Sequence, residues 1–189
     1  MGKAVIKFFI ILEVIAMVSP VIAEETHSIR DQNIAAIHSS IASFSALADR
    51  NAYEYLVTLF DKSVTTDYSE LFEGAKQTVS KETLMQQWAA FLPGFDRTFH
   101  RLERPVITIA ADIATANVPF TASHWLDEDG FWQVSGTYTF TFKRYGRDWL
   151  ITSVYLQKLD EEGSRSILAI APMRAEGNLK RLKAELTVL

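Results

Sequence analysis

Between Phe131 and Arg144 the chain alternates in character: Trp132, Val134, Tyr138, Phe140 and Phe142 interleave with Gln133, Ser135, Thr137, Thr139 and Thr141. A period of two places the apolar set on one face of a β-strand and the polar set on the other. A strand with one dry and one wet face belongs to an antiparallel sheet packed on a core from one side. Its flanks agree. Asp127-Glu128-Asp129-Gly130 reads as a turn before it, and Gly146-Arg147-Asp148 as a hairpin turn after it. Trp149 to Lys158 then returns as the last strand, and Ala114 to Leu126 precedes the pair. Thr98 to Ala110 is also strand-like, with a bend or an edge position expected at Pro105.

Upstream the period is helical. Ile34, Ile37, Ile41, Phe44 and Ala48 share one helical face until Asp49-Arg50-Asn51 breaks the run. A short second helix is expected to carry Tyr53, Leu56, Val57 and Phe60, followed by a short strand from Val64 to Ser69. Ser80 suits the N-cap of a third helix, with Leu84, Met85, Trp88, Phe91 and Leu92 inward and a stop at Pro93-Gly94. Helices first and hairpin-linked strands afterwards imply an α+β fold, with helices packed on one side of a curved antiparallel sheet. Beyond Glu161 the pattern loosens, and Leu179, Leu182 and Leu186 suggest a short amphipathic helix in the tail.

The first residues have another character. Lys3 and Lys7 bracket a basic start, Phe8 to Val18 is almost wholly apolar, and Val21-Ile22-Ala23 precedes Glu24. That order is the pattern of a secretory signal peptide over residues 1–23, cleaved after Ala23, and it predicts a periplasmic or secreted chain with no membrane association once cleaved. An uncleaved anchor is the weaker reading, because a spanning helix needs about 20 predominantly apolar residues and Glu13 interrupts this short run. A domain is expected over residues 28–160 and a tail over 161–189. With no cysteine available, an exported chain must rely on its core, and a hydrophobic share of 48% makes that feasible. A net charge of −4 gives no general attraction to nucleic acid.

The motifs of common chemistries are missing: no P-loop, no glycine-rich dinucleotide fingerprint, no serine elbow and no HExxH pair. Without cysteine, thiol catalysis is excluded. His27, His38, His100 and His124 fall at no metal-ligand spacing, so no metal is expected. What remains is a set of polar residues at element ends: Asp49, Asp67, Tyr68, His100, Ser123, His124 and Tyr138. Each has a structural reading beside the functional one. Asp49 can cap a helix, the tyrosines can be core aromatics with satisfied hydroxyls, and His100 can be a hydrogen-bonded strand-edge residue.

The order of the segments adds to this. Phe44-Ser45-Ala46-Leu47-Ala48-Asp49 comes first, then Asp67-Tyr68-Ser69, then Leu92-Pro93-Gly94-Phe95 and Thr98-Phe99-His100. Gly136-Thr137-Tyr138 and Arg144 with Trp149-Leu150-Ile151 follow. This succession resembles the SnoaL-like branch of the nuclear transport factor 2-like superfamily, including the scytalone dehydratase type, over roughly Ser28 to Lys158. The resemblance implies a cone-shaped α+β domain whose curved sheet encloses a mostly apolar pocket, lined here by Trp88, Ser123, His124 and Tyr138. It implies His100 as general base, Asp49 as the carboxylate that orients it, and Tyr68 as the hydroxyl that polarises a substrate carbonyl. Ala48, Gly136 and Tyr138 stand where the dehydratase pattern has polar groups, so scytalone dehydration itself is not expected. The trio suits proton abstraction α to a carbonyl of a small, apolar compound, with no cofactor. A non-catalytic periplasmic ligand-binding or protein-interaction domain is the alternative. Homodimers through the open sheet face are expected by analogy with such folds.

Overall fold

The computed structural model describes residues 20–128 and 130–187, with side chains described from 27 to 184. The expected signal peptide over 1–23 lies outside the described residues except for the backbone of its last four, as do Asp129 of the turn and the side chain of Leu186. The chain divides into two compact units, residues 1–32 and 33–189. The described part of the first is helical, with an exposed His27–Asp31 contact of 3.6 Å one turn apart. Everything below concerns the second. Among the described residues no helix is long and apolar enough to cross a membrane.

Helix α1 (Pro20–Asp49) buries Ile37, Ile41, Phe44 and Ala48, the stripe its period of three and four residues dictates. It stops because Asn51 adopts a left-handed backbone, φ 55°, while the amides of Asn51 and Ala52 return to the carbonyls of Ala48 and Leu47. That stop fixes Asp49 as the last helical residue. Helix α2 (Tyr53–Leu56) and a 3-10 turn lead into strand β1 (Phe60–Asp67). Strand β2 (Gln77–Ser80) pairs antiparallel with β1. Helix α3 (Lys81–Ala89) starts at the expected cap, with the Ser80 hydroxyl accepting from the Thr83 amide at 3.1 Å.

After a 3-10 turn at Leu92–Gly94 come β3 (Arg97–Leu102), β4 (Val106–Ala110), β5 (Ile113–Leu126), β6 (Gly130–Tyr145) and β7 (Asp148–Gly163). The strand-like stretch from Thr98 to Ala110, with its bend or edge position expected at Pro105, is two strands parted at Glu103–Pro105, where the proline has no amide for a ladder. The seven strands make one open sheet in the order β2-β1-β7-β6-β5-β3, with β4 also on β5. All pairings are antiparallel except β1 with β7, which run parallel. Between Ser135↔Asp160 and Gly136↔Lys158 the register slips, and Leu159 bulges out with 84% of its surface exposed. Such a bulge bends the strands and helps the sheet to curve.

The concave face carries Ala114, Ala116, Val118 and Phe120 of β5 against Phe140 and Phe142 of β6. Phe44 of α1 meets Phe140, Tyr138 and Trp88 edge-on at centroid distances of 5.1–6.0 Å.

The tail differs most from expectation. It forms a 22-residue helix, α4 (Ser166–Thr187), that begins well before Leu179 and buries Ile167, Ala171 and Ala175. The Leu92–Gly94 turn comes so close to it that a Cβ on Gly94 would sit 1.8 Å from the Ala171 carbonyl oxygen. Gly94→Ala is therefore expected to destabilise the fold by about 1–3 kcal/mol, since neither backbone can yield freely. Thermal unfolding checks this, and an unchanged melting temperature would show that α4 is not tightly docked there.

Candidate functional site

Where α1 ends, Asp49 reaches across to β3. Its Oδ1 accepts from the Thr98 hydroxyl at 2.8 Å and lies 2.6 Å from His100 Nδ1. Its Oδ2 accepts from the His100 amide at 2.8 Å. The helix stop and the strand thus hold one carboxylate with three bonds, two of them from the residue it orients. Burial by itself would raise the Asp49 carboxyl. The hydrogen bond and charge of His100 outweigh it, with help from the His100 amide and the Thr98 hydroxyl, and hold it below its usual value. A carboxylate acceptor at Nδ1 means that this nitrogen carries the proton, which leaves Nε2 as the basic atom of a neutral imidazole.

The His100 side chain is only 9% exposed and lines an apolar cavity of about 90 Å³. Tyr68, His124, Tyr138, Trp132, Phe72 and Phe91 share that lining. Tyr68 comes from the segment after β1, His124 from β5, and Tyr138 from β6. Burial and the neighbouring Tyr138 push the Tyr68 phenol well above its ordinary value. Burial and the Asp49 charge do the same to Tyr138, so both hydroxyls keep their protons. Tyr138 is held by stacking on Phe120 at 4.0 Å between ring centres.

His124 is the unusual member. It is 3% exposed, its Nδ1 has no hydrogen-bond partner among the described residues, and its ring lies 4.8 Å from those of Phe95 and Trp132. It meets His100 edge-on at 5.5 Å. Burial first, and the charge of His100 second, lower its pKa to about 3, so it is neutral at pH 7. The pair are therefore two imidazoles with different tasks: one coupled to a carboxylate, the other a neutral polar group in an apolar wall.

Two expected pocket residues lie elsewhere. Trp88 packs into the core against Phe44 and Phe60, at 5.7 and 5.8 Å between ring centres. Ser123 sits between Ala122 and His124 on β5, so the alternation of the strand turns it to the opposite face. There its hydroxyl donates to Gln133 at 2.9 Å. Asp67 is outside the cavity too, bound to the Ser69 hydroxyl at 2.6 Å.

The sequence reading missed what holds the front wall, Tyr68 to Phe72. Glu70 accepts from the Tyr155 hydroxyl and from the Lys158 amide, while Arg165 donates to the Leu71 carbonyl at 2.8 Å. Arg165 also binds Glu161 at 2.6 Å, and that carboxylate accepts from Trp132 Nε1 at 2.5 Å. Leu71 and Phe72, an apolar pair in an otherwise polar connection, were the available signal. Among the described residues no group of three or more metal-ligating side chains occurs.

A family model described as a SnoaL-like domain matches residues 32–155. The fold is similar to that of the Kfla4162 protein from Kribbella flavida, at 25% identity and TM-score 0.66 over 70% of this chain and 95% of that one. It is similar to a hexachlorocyclohexane dehydrochlorinase from Novosphingobium barchaimii, at 12% identity and TM-score 0.64 over 74% of this chain and 94% of that one. A scytalone dehydratase candidate from Novosphingobium aromaticivorans shares 19% identity and TM-score 0.59 over 72% of this chain and 92% of that one. No curated protein sequence matches the chain.

Proposed function

The chain belongs to the SnoaL-like domain family, and from that premise we propose that it is a cofactor-independent lyase or isomerase acting on a small, largely apolar carbonyl compound. The contact of 2.6 Å between Asp49 and His100, at the wall of a cavity otherwise lined by aromatic and aliphatic side chains, carries this reading. His100 Nε2 removes a proton α to the carbonyl. Asp49 stabilises the imidazolium that forms, and the protonated hydroxyls of Tyr68 and Tyr138 offer hydrogen bonds to the developing enolate. Loss of a β-substituent or return of the proton at another carbon completes elimination or isomerisation. Neighbours in fold whose names denote elimination chemistry support the class of reaction and not the substrate.

A second reading is a non-catalytic ligand-binding or protein-interaction domain, and the size of the cavity weighs on ligand entry in either reading. About 90 Å³ is well below the roughly 300–1,000 Å³ of typical ligand sites. Catalysis then requires either a very small substrate or an outward movement of the Tyr68–Phe72 wall.

One experiment separates the two. Cyclohexanone in D2O is followed by proton NMR with and without the protein. Faster exchange of its α-protons than in buffer alone is the expected result. Binding detected by saturation transfer, without faster exchange, would favour the second reading, and neither signal would reject both.

A further inference from the structure

A larger cavity, about 470 Å³, opens between the end of α1, the Leu92–Gly94 turn, β3 and α4. It shares Asp49 with the histidine site, but its chemistry is different. Three arginines line it: Arg50 where α1 stops, Arg97 at the start of β3, and Arg181 on α4. Its two carboxylates are already engaged. Asp49 is taken up by Thr98 and His100, while Asp96 accepts from Arg174 and from the Asp127 amide, both at 2.6 Å. Among the described residues no carboxylate pairs with Arg50, Arg97 or Arg181.

This concentration of unpaired positive charge stands in a chain whose net charge is −4. Arg97 is also held in place, its guanidinium 3.8 Å from the centre of the Trp125 ring. Stacking reduces the freedom that a ligand would otherwise have to freeze out. The remaining walls are Leu92, Pro93, Phe95 and Leu182, which are apolar. Asn178 keeps the α4 side of the groove against the turn by donating to the Pro93 carbonyl at 2.8 Å.

We propose that this groove is a binding site for a small organic oxyanion with an apolar body, of the class of an aryl carboxylate or a phosphate monoester. The arginine forks take the oxyanion, and the leucine, proline and phenylalanine side chains take the ring. A volume of 470 Å³ lies within the range of ligand sites, unlike the smaller cavity at His100. The proposal stands apart from the catalytic reading, because none of the three arginines takes part in it.

The test is titration calorimetry at low salt on the full chain, with benzoate, phenyl phosphate and inorganic phosphate as probes. At least one of the organic anions is expected to bind, more tightly than inorganic phosphate and more weakly as salt is added. An Arg97→Gln/Arg181→Gln variant is expected to lose on the order of tenfold or more in affinity, the worth of one or two charged hydrogen bonds. Both positions are exposed, so the variant should melt like the parent. The Arg97→Gln/Arg181→Gln variant should exchange the α-protons of cyclohexanone as the parent does, which keeps failure here distinct from failure of the catalytic reading. No binding of either organic anion at millimolar concentration, equal affinity in the double variant, or inorganic phosphate binding as well as phenyl phosphate would each overturn the proposal.

Discussion

Changing His100 to glutamine is expected to slow α-proton exchange by about 10²- to 10⁴-fold, the usual worth of a positioned general base. Glutamine retains a polar side chain of similar reach but has no atom basic enough to take the proton. Asp49→Asn should cost as much or more. An asparagine offers a single oxygen where Thr98 Oγ1, His100 N and His100 Nδ1 all now donate to a carboxylate. Its amide nitrogen would face donors, favour the wrong imidazole tautomer and leave the imidazolium uncompensated. Because the two residues act as one unit, the double variant should be little slower than the worse single one. Rates with cyclohexanone, beside melting curves for each variant, check this. A normal rate in His100→Gln would remove the base from the mechanism.

The second large effect concerns stability in acid. The unfolded chain takes up a proton at His124 near pH 6.5, whereas the folded chain resists until about pH 3. Between those limits the unfolded state holds the extra proton, so stability falls as the pH is lowered through the window and levels off below it. The slope approaches about 1.4 kcal/mol per pH unit, or roughly 3 kcal/mol between pH 6.5 and 4. Asp49 adds loss of the same sign lower down, since its depressed carboxyl contributes stability above 3.8 that disappears as the pH falls. His124→Phe isolates the first effect, because a phenyl ring suits neighbours such as Phe95 and Trp132 and has nothing to protonate. Denaturant melts of both proteins from pH 7 to 4 should diverge, with the variant losing less. Parallel curves would mean that His124 does not refuse its proton.

The contrast between the two histidines shows what the sequence could convey. His100 could be linked to Asp49 through the resemblance to the SnoaL-like family and not through local pattern, since they come from a helix end and a strand 51 positions apart that only the fold brings together. His124 could be placed near the pocket but not characterised, since its isolation depends on rings from three separate segments. Ser123 and Trp88 were misplaced for opposite reasons. The strand alternation that admits His124 excludes its neighbour, and Trp88 lies deeper than the wall. Strand β2 has no alternation to read and is mostly exposed, so only its pairing with β1 makes it a strand. Helix α4 was underestimated because its buried stripe includes Ala171 and Ala175, which carry little hydrophobic signal. The arginine groove had no signal in sequence, as Arg50, Arg97 and Arg181 come together only in the fold.

The parallel pairing of β1 with β7 has a consequence for biosynthesis. The front wall of the cavity is fastened by Glu70 to Lys158, 88 positions further along the chain. Closing a loop of that length costs about 4 kcal/mol before any contact repays it. The Glu70 fastening of the Tyr68–Phe72 wall therefore waits until strand β7 has left the ribosome. A chain truncated before its seventh strand would retain most of the lining around His100 and still lack the clasp on its wall, so the site closes only once β7 is in place.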